Sequence, residues 1–149
     1  MSANSRLTVA THILAWMALV ARDNPDLVTS ERIAKSVNTN PVVIRRTLGL
    51  LSKAGLVESY RGAHAGWRLA KGPSDISLLD VYAALDEGAR FALHPSKPSQ
   101  ACPIGRGIGP VLSRVYESID DSVREKLAAT TIEEMLADTL ASQRAGARR

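Results

Sequence analysis

One short stretch limits the fold more than any other part of the chain: residues 40–56 read NPVVIRRTLGLLSKAGL. Asn40 can cap a helix, Pro41 suits the first helical position, and Gly55 is typical of a helix end. At 100° per residue, three large apolar side chains share one side of this helix: Ile44, Leu48 and Leu51. The pattern predicts a helix from about Pro41 to Ala54 that buries one side.

The other side of this predicted helix is cationic. Four residues lie about opposite the apolar stripe and a fifth flanks them: Val42, Arg46, Gly49, Lys53 and, at the edge, Arg45. No residue of the helix is acidic, and the glycine would let another surface approach closely. Two interpretations stay open, a solvated helix face or a face that meets an acidic partner.

Two helices are predicted before the basic one. The segment SRLTVATHILAWMALVARDNPD, residues 5–26, places apolar side chains at helical spacing and ends in an Asn-Pro turn. A shorter helix follows in TSERIAKSVN, residues 29–38, with Thr29 or Ser30 as its cap. Its apolar side consists of Ile33, Ala34 and Val37.

A β-hairpin is predicted after the basic helix. A strand from Leu56 to Arg61, a turn of small residues from Gly62 to Gly66 and a return strand from Trp67 to Ala70 fit the pattern. Helix, short helix, basic helix and hairpin is the order of a winged helix-turn-helix domain, whose third helix enters the major groove of DNA. Three basic residues then lie on or beside the hairpin, or wing, where phosphates would be: Arg61, His64 and Arg68.

Charge is divided unevenly along the chain. Residues 1–72 carry ten Lys or Arg and four acids, a net charge of +6, whereas residues 73–149 carry nine basic and eleven acidic residues, a net charge of −2. With 149 residues, 45% of them hydrophobic, the chain can bury a core. We expect a winged helix-turn-helix DNA-binding domain in residues 1–72, which approaches a polyanion, and a helical dimerisation region in residues 73–149.

Several motifs beyond the basic helix are specific. They are SKAGLVES, then GWRLAK after a glycine-containing wing, then DISLLDVYAAL, and finally CPIGRGIGPVLSRVYESIDDSVREKLAATTIEEML. In these motifs the chain resembles the Rrf2 family of bacterial transcription regulators, from about residue 5 to residue 145. The wing reads RGAHAGW where relatives more often have a glycine-rich run. The resemblance implies a mainly α fold with a small β-hairpin, a long C-terminal dimerisation helix, and a homodimeric repressor that binds double-stranded DNA.

The rear half contains a long apolar stripe. Its members recur every three or four residues: Ile108, Leu112, Val115, Ile119, Val123 and Leu127. So long a stripe needs a partner surface, which is either the chain's own first helix or, in addition, the same helix of a second subunit. A two-fold dimer of the second kind would present two recognition helices about one DNA turn apart.

Cys102 is the only cysteine, which excludes an intrachain disulfide. The family resemblance implies the subgroup without the three cysteines that hold an iron-sulfur cluster, and we expect no metal and no cofactor. Two interpretations of Cys102 stay open. It is a thiol sensor of oxidants or electrophiles, activated near a helix start and Arg106, or it is a small buried side chain that packs under a loop.

The candidate DNA-binding residues lie on the basic helix, before it and on the wing. In the groove we expect Asn40, Val42, Val43, Arg45 and Arg46, with Arg46 the best candidate for a guanine contact. Candidates for phosphate or wing contacts are Ser30, Lys53, Tyr60, Arg61 and His64. One interpretation is a regulator that responds to oxidants or electrophiles through Cys102. The alternative is a regulator that responds to a small molecule near the dimer helix, with Cys102 purely structural.

Other classes of protein are disfavoured. The three histidines and Cys102 match no catalytic spacing, and GRGIGP lacks the preceding strand and the Lys-Ser or Lys-Thr of a phosphate-binding loop. The longest apolar run, HILAWMALVA, is too short to span a bilayer. We expect a cytoplasmic protein that is not an enzyme. A winged helix used only for protein contacts would differ by lacking salt-dependent DNA binding.

Overall fold

The computed structural model describes residues 3–86 and 88–147 of the chain. It contains six α-helices, α1 to α6, and a two-stranded antiparallel hairpin of β1 and β2 within these ranges. The bounds are α1 Ala3–Asp23, α2 Ser30–Val37, α3 Pro41–Lys53, β1 Val57–Tyr60, β2 Gly66–Leu69, a 3-10 turn Pro73–Asp75, α4 Leu78–Leu85, α5 Pro103–Ala128 and α6 Ile132–Gly146. The prediction of a mainly helical winged helix-turn-helix with a long C-terminal helix is confirmed.

One hydrophobic core joins the front and rear parts of the chain. The side chains of Ile13 in α1 and Leu48 in α3 are fully buried, and they belong to the same cluster as Val81 in α4 and Ile132 in α6. Helices α4 and α6 therefore complete the packing around α1 instead of forming a separate core. The functional division at residues 72 and 73 remains a prediction.

The wing is attached to the segment before α2. Val28 and Trp67 form an antiparallel bridge, in which the Val28 N–H donates to the Trp67 carbonyl at 2.9 Å and the Trp67 N–H donates back at 2.8 Å. A side chain at Gly66 would meet Leu27, because an added Cβ would lie 2.8 Å from the Leu27 Cβ. The wing is thus held by more than its own hairpin hydrogen bonds.

Two capping boxes lie side by side at the starts of α4 and α6. Ser77 caps α4 with Asp80 at the third position, and Thr131 caps α6 with Glu134 at the third position. Ser77 and Thr131 also form an antiparallel bridge. These contacts give the TIEEML motif a physical role, since its threonine and second glutamate fix the start of α6.

Helix α5 differs from the other helices because none of its 26 residues is buried. Val115 is 48% exposed, and Ile104, Ile108, Val111 and Ile119 are also exposed. Its intrachain packing is mainly against α4. Within the residues that the structure describes, no helix is long and apolar enough to cross a membrane.

Candidate nucleic-acid interface

Helix α3 is fixed in orientation by its start and by its buried side. The Oδ1 atom of Asn40 accepts a hydrogen bond from the Val42 N–H at 2.8 Å, and Pro41 occupies the first turn. Three side chains on the inner side are fully buried: Ile44, Leu48 and Leu51. The predicted apolar stripe is confirmed, and the opposite side of α3 therefore faces outward.

The outer side of α3 has an open position at a glycine and carries cationic side chains. Val42 is 45% exposed, and a Cβ added to Gly49 would have no atom within 4 Å. Arg46 and Lys53 are exposed, and neither makes a hydrogen bond or an ion pair with the residues that the structure describes. Val43 is half-buried beside them. This surface offers two uncommitted positive charges and room for a close approach.

Arg45 differs from Arg46 because it is bound to α2. Its Nη1 atom donates to Oε1 of Glu31 at 2.9 Å and to Oγ of Ser30 at 3.3 Å. The Ser30 hydroxyl donates in turn to Glu31 at 3.2 Å. No residue of α3 itself is acidic, and the acid that pairs with Arg45 comes from the neighbouring helix.

Ser30 lies behind the face and not on it. Ser30 is only 6% exposed, and its hydroxyl accepts a hydrogen bond from Arg45 and donates one to Glu31. This position does not support the phosphate contact predicted for Ser30. Hydrogen bonds from its own backbone N–H, and then from Ser30, lower the pKa of the Glu31 carboxyl below its ordinary value despite some desolvation, with Arg45 adding to the effect.

The wing carries a second group of linked side chains. Glu58 on β1 lies opposite Arg68 on β2, and the Arg68 Nε donates to Oε2 of Glu58 at 3.1 Å. The Tyr60 hydroxyl donates to the same oxygen at 2.9 Å, and the Arg68 guanidinium lies 4.7 Å from the Tyr60 ring centroid. The hydrogen bond from Tyr60 lowers the pKa of Glu58, with Arg68 contributing next, and the same bond raises the pKa of Tyr60.

Other wing residues are free of such links. Arg61 and His64 are exposed and make no hydrogen bond or ion pair with any described residue. They flank a turn in which Gly62 has a φ of 102°, which favours glycine. No side-chain hydrogen bond or ion pair joins the α3 group to the wing group among the described residues.

Cys102 is exposed and stands at the cap position of α5, without a side-chain cap hydrogen bond. The interpretation of a cysteine buried under a loop is therefore wrong for this chain. The stripe that begins nearby is only partly covered, since Leu112, Val123 and Leu127 are half-buried. The stripe does not pack mainly on α1, because within the chain α5 contacts chiefly α4.

Sequence reasoning missed both acids that hold an arginine at the candidate interface. Glu31 and Arg45 are 14 residues apart, and their contact depends on how α2 crosses α3. Glu58 and Arg68 are 10 residues apart and face each other only in the observed register. The only signal in the sequence for these contacts was the opposite charge of Glu58 and Arg68 on the two strands of a predicted hairpin.

Comparison with known proteins gives a consistent result. Residues 3–138 match the family described as "Rrf2: Iron-dependent Transcriptional regulator". The chain is 42% identical over 134 residues to YwnA of Bacillus subtilis, classed by name with HTH-type transcriptional regulators, covering 89% of this chain and 96% of YwnA.

Two solved structures share the fold. IscR of T. potens superimposes with a TM-score of 0.69 at 24% identity, over 96% of this chain and 90% of IscR. CymR of B. subtilis, "the Global Cysteine Regulator", superimposes with a TM-score of 0.61 at 24% identity, over 87% of this chain and 94% of CymR.

The iron dependence in the family description does not fit the donor atoms of this chain. Thiolates hold most protein iron-sulfur clusters, and Cys102 is the single cysteine in the sequence. Among residues 3–86 and 88–147, no three His, Cys, Asp or Glu side chains come together as a metal-binding group. We therefore assign no role to iron.

Proposed function

Because the chain belongs to the Rrf2 family of transcriptional regulators, we propose that it is a homodimeric, sequence-specific DNA-binding repressor. The observation that carries this proposal is the outer side of α3. There Arg46 and Lys53 are exposed and have no hydrogen-bond or ion-pair partner within residues 3–86 and 88–147, on a helix whose inner side is fully buried. A helix held in this way is suited to enter the major groove, where arginine pairs with guanine.

The residues divide by role in this proposal. Asn40, Val42 and Val43 at the start of α3 approach the base edges together with Arg45 and Arg46, because the first turns of a recognition helix enter the groove. Lys53, Tyr60, Arg61 and His64 contact phosphates or line the wing. Tyr60 and Arg61 follow one another at the exposed end of β1, which supports their placement there.

Dimerisation is supported by the exposure of α5. A helix of 26 residues with no buried residue and several exposed aliphatic side chains is unusual in a monomer. The stripe from Ile108 to Leu127 would be covered by the same helix of a second subunit, since a two-fold axis brings identical surfaces together.

The signal we propose is oxidation or alkylation of Cys102. The thiol is exposed and forms no cap hydrogen bond, and it lies one residue before the first turn of α5, so that an oxidant or electrophile can reach it. If it is the sensor, peroxide, hypochlorite or a quinone should change DNA affinity. The Cys102→Ser variant should bind DNA normally and lose that response.

A second candidate signal is a small molecule bound between α4, the segment after it and α5. A cleft of about 420 Å³ lies there, a volume within the range of ligand sites. Its aromatic lining includes Tyr82, Phe91 and Tyr116, and the rings of Phe91 and Tyr116 stack at 5.3 Å. In that case Cys102→Ser would keep the response to the effector.

The experiment that tests the proposal is selection of bound duplexes from a random DNA pool by the purified full-length protein, in reduced and in oxidised form. A dimeric repressor should enrich a palindrome with half-sites about one helical turn apart. Enrichment of no sequence would refute specific DNA binding, and equal affinities of the reduced and oxidised forms for the selected duplex would refute the role of Cys102.

A further inference from the structure

We propose that Glu31 and Ser30 are positioning residues for Arg45, which they orient so that its Nε and Nη2 edge meets a pair of acceptor atoms on the DNA duplex. The inference rests on the proposed function of α3. It assigns a role to two residues of α2. One of them, Glu31, is an acid that lies beside the surface proposed to bind DNA.

The contacts of Arg45 use only one end of its guanidinium. Both hydrogen bonds, to Glu31 at 2.9 Å and to Ser30 at 3.3 Å, come from Nη1. The N–H groups of Nε and Nη2 have no partner among the described residues. These groups form the fork that binds two oxygens, or the O6 and N7 atoms of guanine, in a bidentate manner.

The anchor includes one buried residue and one exposed residue, Ser30 and Glu31. Ser30 is buried at the start of α2, so that its hydroxyl has little freedom, and it also donates to Glu31 at 3.2 Å. An arginine side chain that is held at one end loses less conformational entropy when the other end binds. Arg46 has no such anchor among the described residues.

A simpler role for Glu31 predicts the opposite effect on DNA binding. If Glu31 only neutralised Arg45, its removal would take a negative charge from the DNA-facing surface and would strengthen binding to any duplex. If Glu31 positions Arg45, its removal weakens binding in spite of the gain in net positive charge. The sign of the change therefore separates the two roles.

The test is a double-mutant cycle on the full-length protein, with the selected duplex and a scrambled duplex of equal length as probes. Ser30→Ala, which leaves the charge unchanged, and Glu31→Ala should each weaken binding to the selected duplex by about three- to tenfold. In an Arg45→Ala background, neither substitution should weaken binding further. Tighter binding of Glu31→Ala in both backgrounds would overturn the proposal.

The Arg22–Glu133 pair provides a matched control. It is another interhelical ion pair of similar exposure, at 2.7 Å, on α1 and α6. Glu133→Ala should leave DNA affinity unchanged, and thermal unfolding of each variant shows whether it is folded. If Ser30→Ala does not fold, the isosteric Glu31→Gln replaces it in the cycle, with a weaker effect of the same sign expected.

The outcomes also separate this inference from the proposed function. If the wild-type protein binds neither duplex, the proposed function fails. If it prefers the selected duplex but the cycle shows no coupling between Glu31 and Arg45, only the positioning role fails. A coupled loss confined to the selected duplex identifies base atoms as the acceptors, whereas an equal loss on both duplexes identifies phosphate oxygens.

Discussion

Gly66 lies so close to Leu27 that a Cβ added to Gly66 would be 2.8 Å from the Leu27 Cβ and 3.0 Å from the Val28 carbonyl oxygen. The wing strand therefore packs directly on the segment before α2, and only a residue without a side chain fits. This contact sets the position of the wing relative to the helices.

Gly66→Ala should destabilise the fold by about 1–3 kcal/mol, because the added methyl group forces the wing or the segment at Leu27 to move. Gly49→Ala is the control, since its Cβ would enter open space on a helix, and it should stabilise the fold by about 0.5–1 kcal/mol. Urea unfolding measures both. Equal stabilities of the two variants would contradict the close contact.

Arg46→Ala should remove discrimination at one base pair of the selected DNA. We expect a loss of about 1–3 kcal/mol on that duplex and a smaller loss on scrambled DNA, because a contact to a base edge is specific to sequence. Binding to duplexes changed at each position in turn locates the base. A loss of equal size on selected and scrambled DNA would rule out base readout by Arg46.

Arg61→Ala should weaken binding to all sequences alike, since a phosphate contact carries no sequence information. The slope of log affinity against log salt concentration should become shallower by about 1 unit. Titrations at several salt concentrations measure this slope. An unchanged slope would place Arg61 away from the DNA.

Glu58→Gln should alter the dependence of stability on pH. The folded state lowers the pKa of Glu58 below its ordinary value of 4.5, so the ionised carboxylate stabilises the fold at pH values above that value. The contribution is lost as the pH falls through the lowered folded pKa. The wild-type protein should therefore be more stable than the variant near neutral pH, and the difference should disappear in acid. A difference in unfolding free energy that is constant over this range would contradict the linkage.

Val115→Asp should separate the proposed dimer, because it places a charge in the middle of the exposed stripe of α5. Sedimentation of the wild-type protein at micromolar concentration should show a dimer and that of the variant a monomer. Glu117→Ala, a substitution on the same helix outside the stripe, should remain dimeric. A wild-type monomer would overturn the proposed assembly.

Local periodicity allowed much of the fold to be predicted. The buried side of α3 follows from the spacing of Ile44, Leu48 and Leu51, and its ends follow from Asn40 and Gly55, since these features depend on residues close in sequence. The hairpin bounds differ from the predicted ones by about one residue at each end, as expected for strand ends.

Contacts between distant residues could not be predicted in the same way. The bridge between Val28 and Trp67 depends on the path of the chain before α2, which has no periodic signal. The pairing of Arg45 with Glu31 depends on the crossing of two helices. For this reason the sequence distinguishes Arg45 from Arg46 only by their angular positions around the helix axis. In the structure, Arg45 is anchored to Glu31, whereas Arg46 has no partner among the described residues.

Photocrosslinking from the outer side of α3 tests most directly whether this surface meets DNA. Benzoylphenylalanine in place of the exposed Val42 should form a covalent adduct with the selected duplex, mapping to bases within each half-site. The same group in place of Ala137, exposed on α6, should form none. Crosslinking from position 137 with none from position 42, in variants that still bind the duplex, would contradict contact between this surface and DNA.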